Sequence, residues 1–283
     1  MGMAKLVLSA VLTVFPIALF PQQNASRNSE IYYNQASVKY QSRDFNGASE
    51  DLNKAIEADS NNIKAHYLRG SINLNETANY DLAIRDFSKC IRLQPDNIDS
   101  YFSRGIAYQM QKKYNDAIKD FSKCINMDSK NTDALFMRAL GELALKNNKG
   151  AVNDYDAIIR LEGEVRPKIF KMATVYNNKA YSLVGLGRYT EALPVVTRAL
   201  ELDNTSAYIW DTRGEIYYNL NDFNNCIRDM DKAISISLGD NSFYIRGLAK
   251  IKLGRKEEGC QDLVKARELG KPEASEAIVK YCR

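Results

Sequence analysis

The stretch Phe102-Ser103-Arg104-Gly105-Ile106-Ala107-Tyr108, followed by Tyr114-Asn115-Asp116-Ala117-Ile118-Lys119-Asp120-Phe121, decides how this chain is built. Its spacing returns in Trp210-Asp211-Thr212-Arg213-Gly214 with Phe223 through Cys226 to Met230, and in five other places, at a step of about 34 residues. One slot of every copy is small (Ala36, Gly70, Gly105, Ala139, Ala180, Gly214, Gly247), and so is a second slot about twelve residues on (Ala48, Ala83, Ala117, Ala151, Ala192, Cys226, Gly259). A ring usually stands three before the second slot, as Phe45, Tyr80, Tyr114, Tyr189 and Phe223. Larger apolar groups follow it by four: Leu52, Phe87, Phe121, Tyr155, Val196, Met230 and Leu263. Two helices cross closely only where side chains are small. The pattern therefore predicts antiparallel helix pairs that cannot bury their apolar faces alone and must stack on their own copies.

These units resemble tetratricopeptide repeats, and the resemblance runs over residues 29–272, as 29–62, 63–97, 98–131, 132–165, 173–206, 207–239 and 240–272. Trp210 falls in the family's first-helix aromatic slot, which Tyr32, Tyr101, Tyr176 and Phe243 fill elsewhere. The resemblance implies an all-α fold, a right-handed superhelical solenoid of about seven helix hairpins with residues 273–283 as a capping helix. Three departures stand out. The proline that often closes a unit is present only as Pro95, while Ser60, Ser129 and Asn204 occupy equivalent places, so polar side chains should hold those turns. Unit four has Asn148 in place of the ring, and about seven additional residues, Glu164 to Phe170, lengthen the connection that follows it.

The chain has 283 residues, 45% of them hydrophobic, enough for a large core, which a solenoid spreads along one elongated domain. The 39 basic and 35 acidic residues are interspersed, and no run of like charge points to nucleic acid or a lipid surface. Residues 1–28 stand apart from the array: Lys5 precedes an apolar run from Leu6 to Phe20, interrupted by Pro16, before the chain turns polar. At about 1.5 Å per residue that run is too short for a bilayer core of about 30 Å, so it reads as a secretion signal of an exported, periplasmic or envelope-associated bacterial protein. Left uncleaved, residues 6–20 would tether the array to a membrane.

Cys90 and Cys124 occupy one buried small-residue slot and Cys226 the other, so these three read as inert core residues. Cys260 lies on the last unit's second helix and Cys282 at the end of the capping segment, whose stripe of Ala274, Ala277, Ile278, Tyr281 and Cys282 suits it to cover the end of the stack. In an oxidising compartment the two thiols can pair, adding about 3 kcal/mol, and in a reducing one they stay separate. The Gly-Cys-x-Asp-Leu and Tyr-Cys arrangement also looks like the endings of exported bacterial repeat proteins, which favours the pair.

Nothing in the pattern suggests catalysis or a cofactor. The one histidine, His66, rules out a site of two imidazoles, and there is no Cys-x-x-Cys pair, phosphate loop or nucleophile elbow. Arginine precedes the first small slot in five units (Arg69, Arg104, Arg138, Arg213, Arg246), and aspartate follows the second by three in six (Asp51, Asp86, Asp120, Asp154, Asp229, Asp262). Such residues suit two-pronged ion pairs, a structural ladder whose rungs lie either within a unit or between neighbours.

In the family the first helices line a concave face along which segments of partner proteins lie. Carried over by spacing, this groove takes Tyr67, Leu68 and Leu74 from unit two, Phe102, Ile106 and Met110 from unit three, and Phe136, Met137, Leu140 and Leu143 from unit four. These positions are unusually apolar for a surface, as a contact strip would be, the alternative being that superhelical curvature or the insertion after unit four buries some of them. The same slots of unit six, including Asp211, Thr212 and Glu215, are polar. Asn177 and Asn178 resemble part of the family's clamp for a terminal carboxylate, but the basic members are missing. The expectation is a non-catalytic scaffold that docks an apolar peptide or helical segment of another protein. The alternative is an architectural part of an envelope or secretion assembly, associating through its ends or convex face.

Overall fold

The computed structural model describes residues 19–283, all of whose secondary structure is helical. The chain divides into two compact units, Met1–Ser103 and Arg104–Arg283. The first contains α1 (Leu19–Gln41), α2 (Phe45–Ala58), α3 (Ile63–Asn75) and α4 (Tyr80–Leu93), and α5 (Ile98–Met110) begins in it. The second continues with α6 (Tyr114–Met127), α7 (Thr132–Ala144), α8 (Asn148–Arg160), α9 (Met172–Gly185), α10 (Tyr189–Leu202), α11 (Ala207–Asn219), α12 (Phe223–Ile236), α13 (Asp240–Lys252), α14 (Lys256–Glu268) and α15 (Glu273–Tyr281). Within each unit consecutive helices pack in series, the all-α hairpin stack that the spacing predicts.

The small slots are where the helices meet. In the first unit Ala36, Ala48, Leu52, Ala55, Ala65 and Ile72 form one fully buried cluster. In the second, a Cβ added to Gly247 would lie 2.8 Å from the carbonyl oxygen of Gly259, and one added to Gly259 2.6 Å from that of Gly247. Neither helix can retreat without opening the hairpin, so no side chain fits at this crossing. Between the small slots, large groups such as Phe87, Phe121, Tyr155 and Leu263 are wholly enclosed, each worth about 1.5–3 kcal/mol in burial.

Every hairpin turn contains one left-handed residue, and in order these are Arg43, Ala78, Lys112, Lys146, Gly187, Asn221 and Gly254. Polar side chains then start the second helix: Asp44, Asn79, Asn147 and Asp222 each accept from a backbone N–H three residues on. The turns between hairpins are held by Asp59, Asp128 and Asp203, whose carboxylates accept from the N–H two residues on, with Asn62 and Asn131 capping the helices that follow. Those aspartates, one residue ahead of Ser60, Ser129 and Asn204, do the work expected of a closing proline.

The first repeat unit, 29–62, opens within a longer helix. The described part of that helix runs from Leu19 to Gln41. Packing nevertheless starts at Ser29, which is buried and donates from its hydroxyl to the Ala55 carbonyl at 2.7 Å. Apart from its last two residues, the apolar run 6–20 lies outside the described residues, as do the signal and tether readings that rest on it. Among the described residues no helix is long and apolar enough to cross a membrane.

The arginine and aspartate rows meet within hairpins. In Arg69–Asp86, Arg104–Asp120, Arg138–Asp154, Arg213–Asp229 and Arg246–Asp262, Nε and Nη2 donate to the two carboxylate oxygens at 2.6–2.9 Å. The remaining nitrogen reaches back to the preceding hairpin: Arg69 Nη1 to Asn53 at 2.6 Å, Arg138 Nη1 to Ser122 at 3.0 Å and Arg246 Nη1 to Asp231 at 2.6 Å. One guanidinium thus serves both readings of the ladder. Where arginine is replaced, lysine substitutes: Lys39, a turn beyond Gln35, holds Asp51, and Lys179 holds Asp156 of the hairpin before it, each at 2.6 Å.

At the other end, α15 lays Ala274 and Ala277 against the last hairpin, and Phe243 and Ala266 complete that cluster. Cys260 and Cys282 are joined by a disulfide across a separation of 22 residues, with their Cα atoms 5.8 Å apart.

Candidate functional site

In the first unit, Tyr67 and Leu68 on α3 sit one residue apart on the surface of the helix. Tyr67 meets Phe87 edge-on at 5.5 Å and shares a hydrogen bond with Ser103 at 3.2 Å, and burial raises its phenol pKa. Leu68 packs against the cluster beneath, and Leu74 and Phe102 are half-buried as well. In the second unit Ile106 is half-buried and Met110 is 55% exposed.

The expectation for α7 needs a correction at Phe136. Rather than facing an open groove it is 7% exposed, because the residues inserted after α8 fold back over it. Phe170 stacks on its ring at 4.3 Å and Tyr155 abuts it at 6.2 Å. The insertion is tied down by the Lys130–Glu164 ion pair and by Lys168 N–H donating to Asp133 at 3.1 Å. Met137, Leu140 and Leu143 are half-buried on the same helix.

Leu140 and Leu143 form the apolar end of a cleft of about 760 Å³ contained in the second unit. Its walls come from first helices: Ala173, Asn177, Asn178 and Tyr181 on α9, Tyr208, Asp211, Thr212 and Glu215 on α11, and Asn241 on α13, with Lys271 entering beyond α14. The sequence puts these side chains on one face because Asn177 and Tyr181, and likewise Tyr208, Asp211 and Glu215, recur at helical spacing. Tyr181 and Tyr208 turn outward, 55% and 80% exposed.

The polar wall is unevenly satisfied. Asp211 accepts from Asn241 Nδ2 at 2.8 Å and Ser242 Oγ at 2.6 Å, and Asp203 accepts from Thr205. Lys271 Nζ donates to Asn241 Oδ1 at 3.0 Å. Among the described residues the Glu215 carboxylate receives neither hydrogen bond nor ion pair, the Asn219 amide bonding only its backbone carbonyl, and its carboxyl pKa is pushed up, first by burial and then by Asp211, with Lys271 opposing. Asn177 Oδ1 is cut off from solvent and likewise accepts nothing from the protein. Reading the groove by apolar content pointed to units two to four and passed over this wall, although Asp211, Thr212 and Glu215 stand in the same slots two repeats beyond unit four.

His66 is a structural residue: it is buried, with Nδ1 2.8 Å from Asp86 and Nε2 3.2 Å from the Ser60 carbonyl oxygen. Burial pushes the Cys90 thiol up to about 11 and that of Cys226 to about 12, far from the reactive range. Among the described residues no group of three or more metal-ligating side chains is placed to hold an ion.

Comparison with known proteins places this geometry. The chain is 33% identical over 104 residues to the TPR repeat-containing thioredoxin TDX of Arabidopsis thaliana, covering 36% of this chain and 27% of that one. With Hsc70-interacting protein 1 of Drosophila melanogaster it shares 31% identity over 111 residues, 39% of this chain and 29% of that one. It spans only about a quarter of the length of these relatives. A tetratricopeptide repeat protein from Parabacteroides merdae superposes with a TM-score of 0.63 at 18% identity, covering 90% of this chain and 98% of that one, a likeness of fold alone. Family models described as tetratricopeptide repeat match residues 29–62, 63–97, 98–131, 173–206 and 207–240. With those matches falling on the observed hairpins, the chain belongs to the tetratricopeptide repeat family.

Proposed function

We propose that this protein is a non-catalytic scaffold whose inner helical face in residues 104–283 receives an extended segment of a partner protein. The cleft carries the reading: about 760 Å³ of concave space walled by successive first helices, with Leu140 and Leu143 at one end and two outward tyrosines on its wall. Tyrosine gives large contact area at small entropic cost, and an apolar anchor beside polar groups is how a groove fixes an extended chain in register. Tetratricopeptide repeats are protein-interaction modules, and the name of the Drosophila relative records a protein partner of its own. The thioredoxin in the name of the Arabidopsis relative is a property of that protein.

Export remains part of the proposal. The Cys260–Cys282 bridge supports it, because such bonds persist in oxidising compartments. Association through the C-terminal end has less to support it, since α15 already covers the last hairpin.

Site-specific photo-cross-linking in the native host tests the docking reading. A photoreactive residue replacing Tyr181 or Tyr208 should give the same partner adduct, identified by mass spectrometry, and one replacing Lys123 on the second-helix side should give none. Adducts that form equally at all three positions, or at none, would sink it.

A further inference from the structure

Resting on that reading, we propose that the docked segment is basic: a lysine or arginine side chain of the partner enters the cleft and is held by Glu215. One acceptor without a partner among the described residues faces this space, the half-buried Glu215 carboxylate. It needs a donor, and lysine and arginine side chains carry donors only. The walls hold Asp203, Asp211 and Glu215 against a single cation, Lys271, whose Nζ is already turned to Asn241 Oδ1 at 3.0 Å. An acidic segment, or a chain end presenting its carboxylate, would bring a negative charge beside an uncompensated one and remove its water, which is costly. A basic side chain supplies the missing partner instead, and its aliphatic stem suits the exposed rings of Tyr181 and Tyr208. Glu215 stands two first helices from Leu140 and Leu143, about 20 Å at ordinary helix spacing, so an extended occupant would place its apolar anchor about six residues from its basic one.

A random dodecapeptide library displayed on phage and panned against the full chain tests this. The enriched peptide would then be synthesised with its basic residue intact or replaced by glutamine, and measured by fluorescence anisotropy on the wild type, Glu215→Gln and Lys271→Gln. The expected result is lysine or arginine at one fixed place in the enriched peptides. Binding should weaken at least tenfold when that residue becomes glutamine, and at least tenfold on Glu215→Gln, where the two peptides should no longer differ. Lys271→Gln removes the competing cation and should tighten binding several-fold, a gain that damage to the fold would not produce. Enrichment without a basic residue, a Glu215→Gln chain that still distinguishes the two peptides, or no enrichment at all overturns the inference. Cross-linking at Tyr181 and Tyr208 decides the docking reading separately.

Discussion

A single hydrogen bond separates two aspartates that otherwise occupy the same slot. Asp86 and Asp120 are both enclosed and both take two bonds from an arginine, yet their carboxyls shift in opposite directions. Burial pushes Asp120 up by more than Arg104 offsets, whereas at Asp86 the bonds from Arg69 and His66 together outweigh burial and hold the pKa below the ordinary value. The ionised form of Asp86 therefore stabilises the fold in full above about pH 4, and that contribution is lost as pH falls through the folded-state pKa. Asp86→Asn should cost about 2–3 kcal/mol at pH 7, below the figure for a sealed pair because the Arg69 side chain is 24% exposed. Urea titrations of both proteins at pH 7 and pH 3 check this, and the gap between them should narrow at the lower pH. The sequence showed both rows of charge, since they recur at the repeat step. It left the pairing open because a guanidinium has several donors, and Arg69, Arg138 and Arg246 use two nitrogens on their own hairpin and one on the hairpin before.

Elements end where the chain can turn left-handed, and five of the seven hairpin turns do so with a residue that has a Cβ. Lys112, at φ 59°, and Gly254, at φ 78°, occupy the same place in different hairpins. Lys112→Gly should relieve the steric cost and raise stability by about 0.5–1 kcal/mol, while Gly254→Ala, with no atom within 4 Å of the added Cβ, should lose about 1 kcal/mol through backbone strain alone. Paired thermal melts read both signs, and a loss at Lys112→Gly would contradict the argument. At this scale the helices were legible from residue size, because close crossings tolerate only alanine, glycine or cysteine. What the pattern left open was whether residues 161–171 fold back over the groove, since an insertion has no repeat to be compared with. Phe136 looked like a surface ring for that reason, and its stacked partner Phe170 lies in the insertion.

For the molecule as a whole, the hairpin series was readable from periodicity, whereas the cleft was not, because its polar wall draws on α9, α11, α13 and Lys271, whose proximity only folding establishes. The C-terminal closure likewise depends on bringing Cys282 back to α14. Replacing both Cys260 and Cys282 with serine should remove about 3 kcal/mol of stability by the loop-closure argument. Hydrogen exchange should register the loss first in α15 and α14, and unchanged protection there would count against it. The backward reach of the first-helix cations has a mechanical consequence as well. In the second unit Arg138, Lys179 and Arg246 each rivet their hairpin to its predecessor. Arg213 keeps both its bonds on Asp229 and lies against the rings of Trp210 and Tyr217, at 4.9 and 5.8 Å. The seam between α10 and α11 is thus one that its arginine does not bridge, held by packing and by the Trp210 Nε1 bond to the Asn204 carbonyl at 2.9 Å, and it runs beside the cleft, so a tug on a docked segment would load that seam.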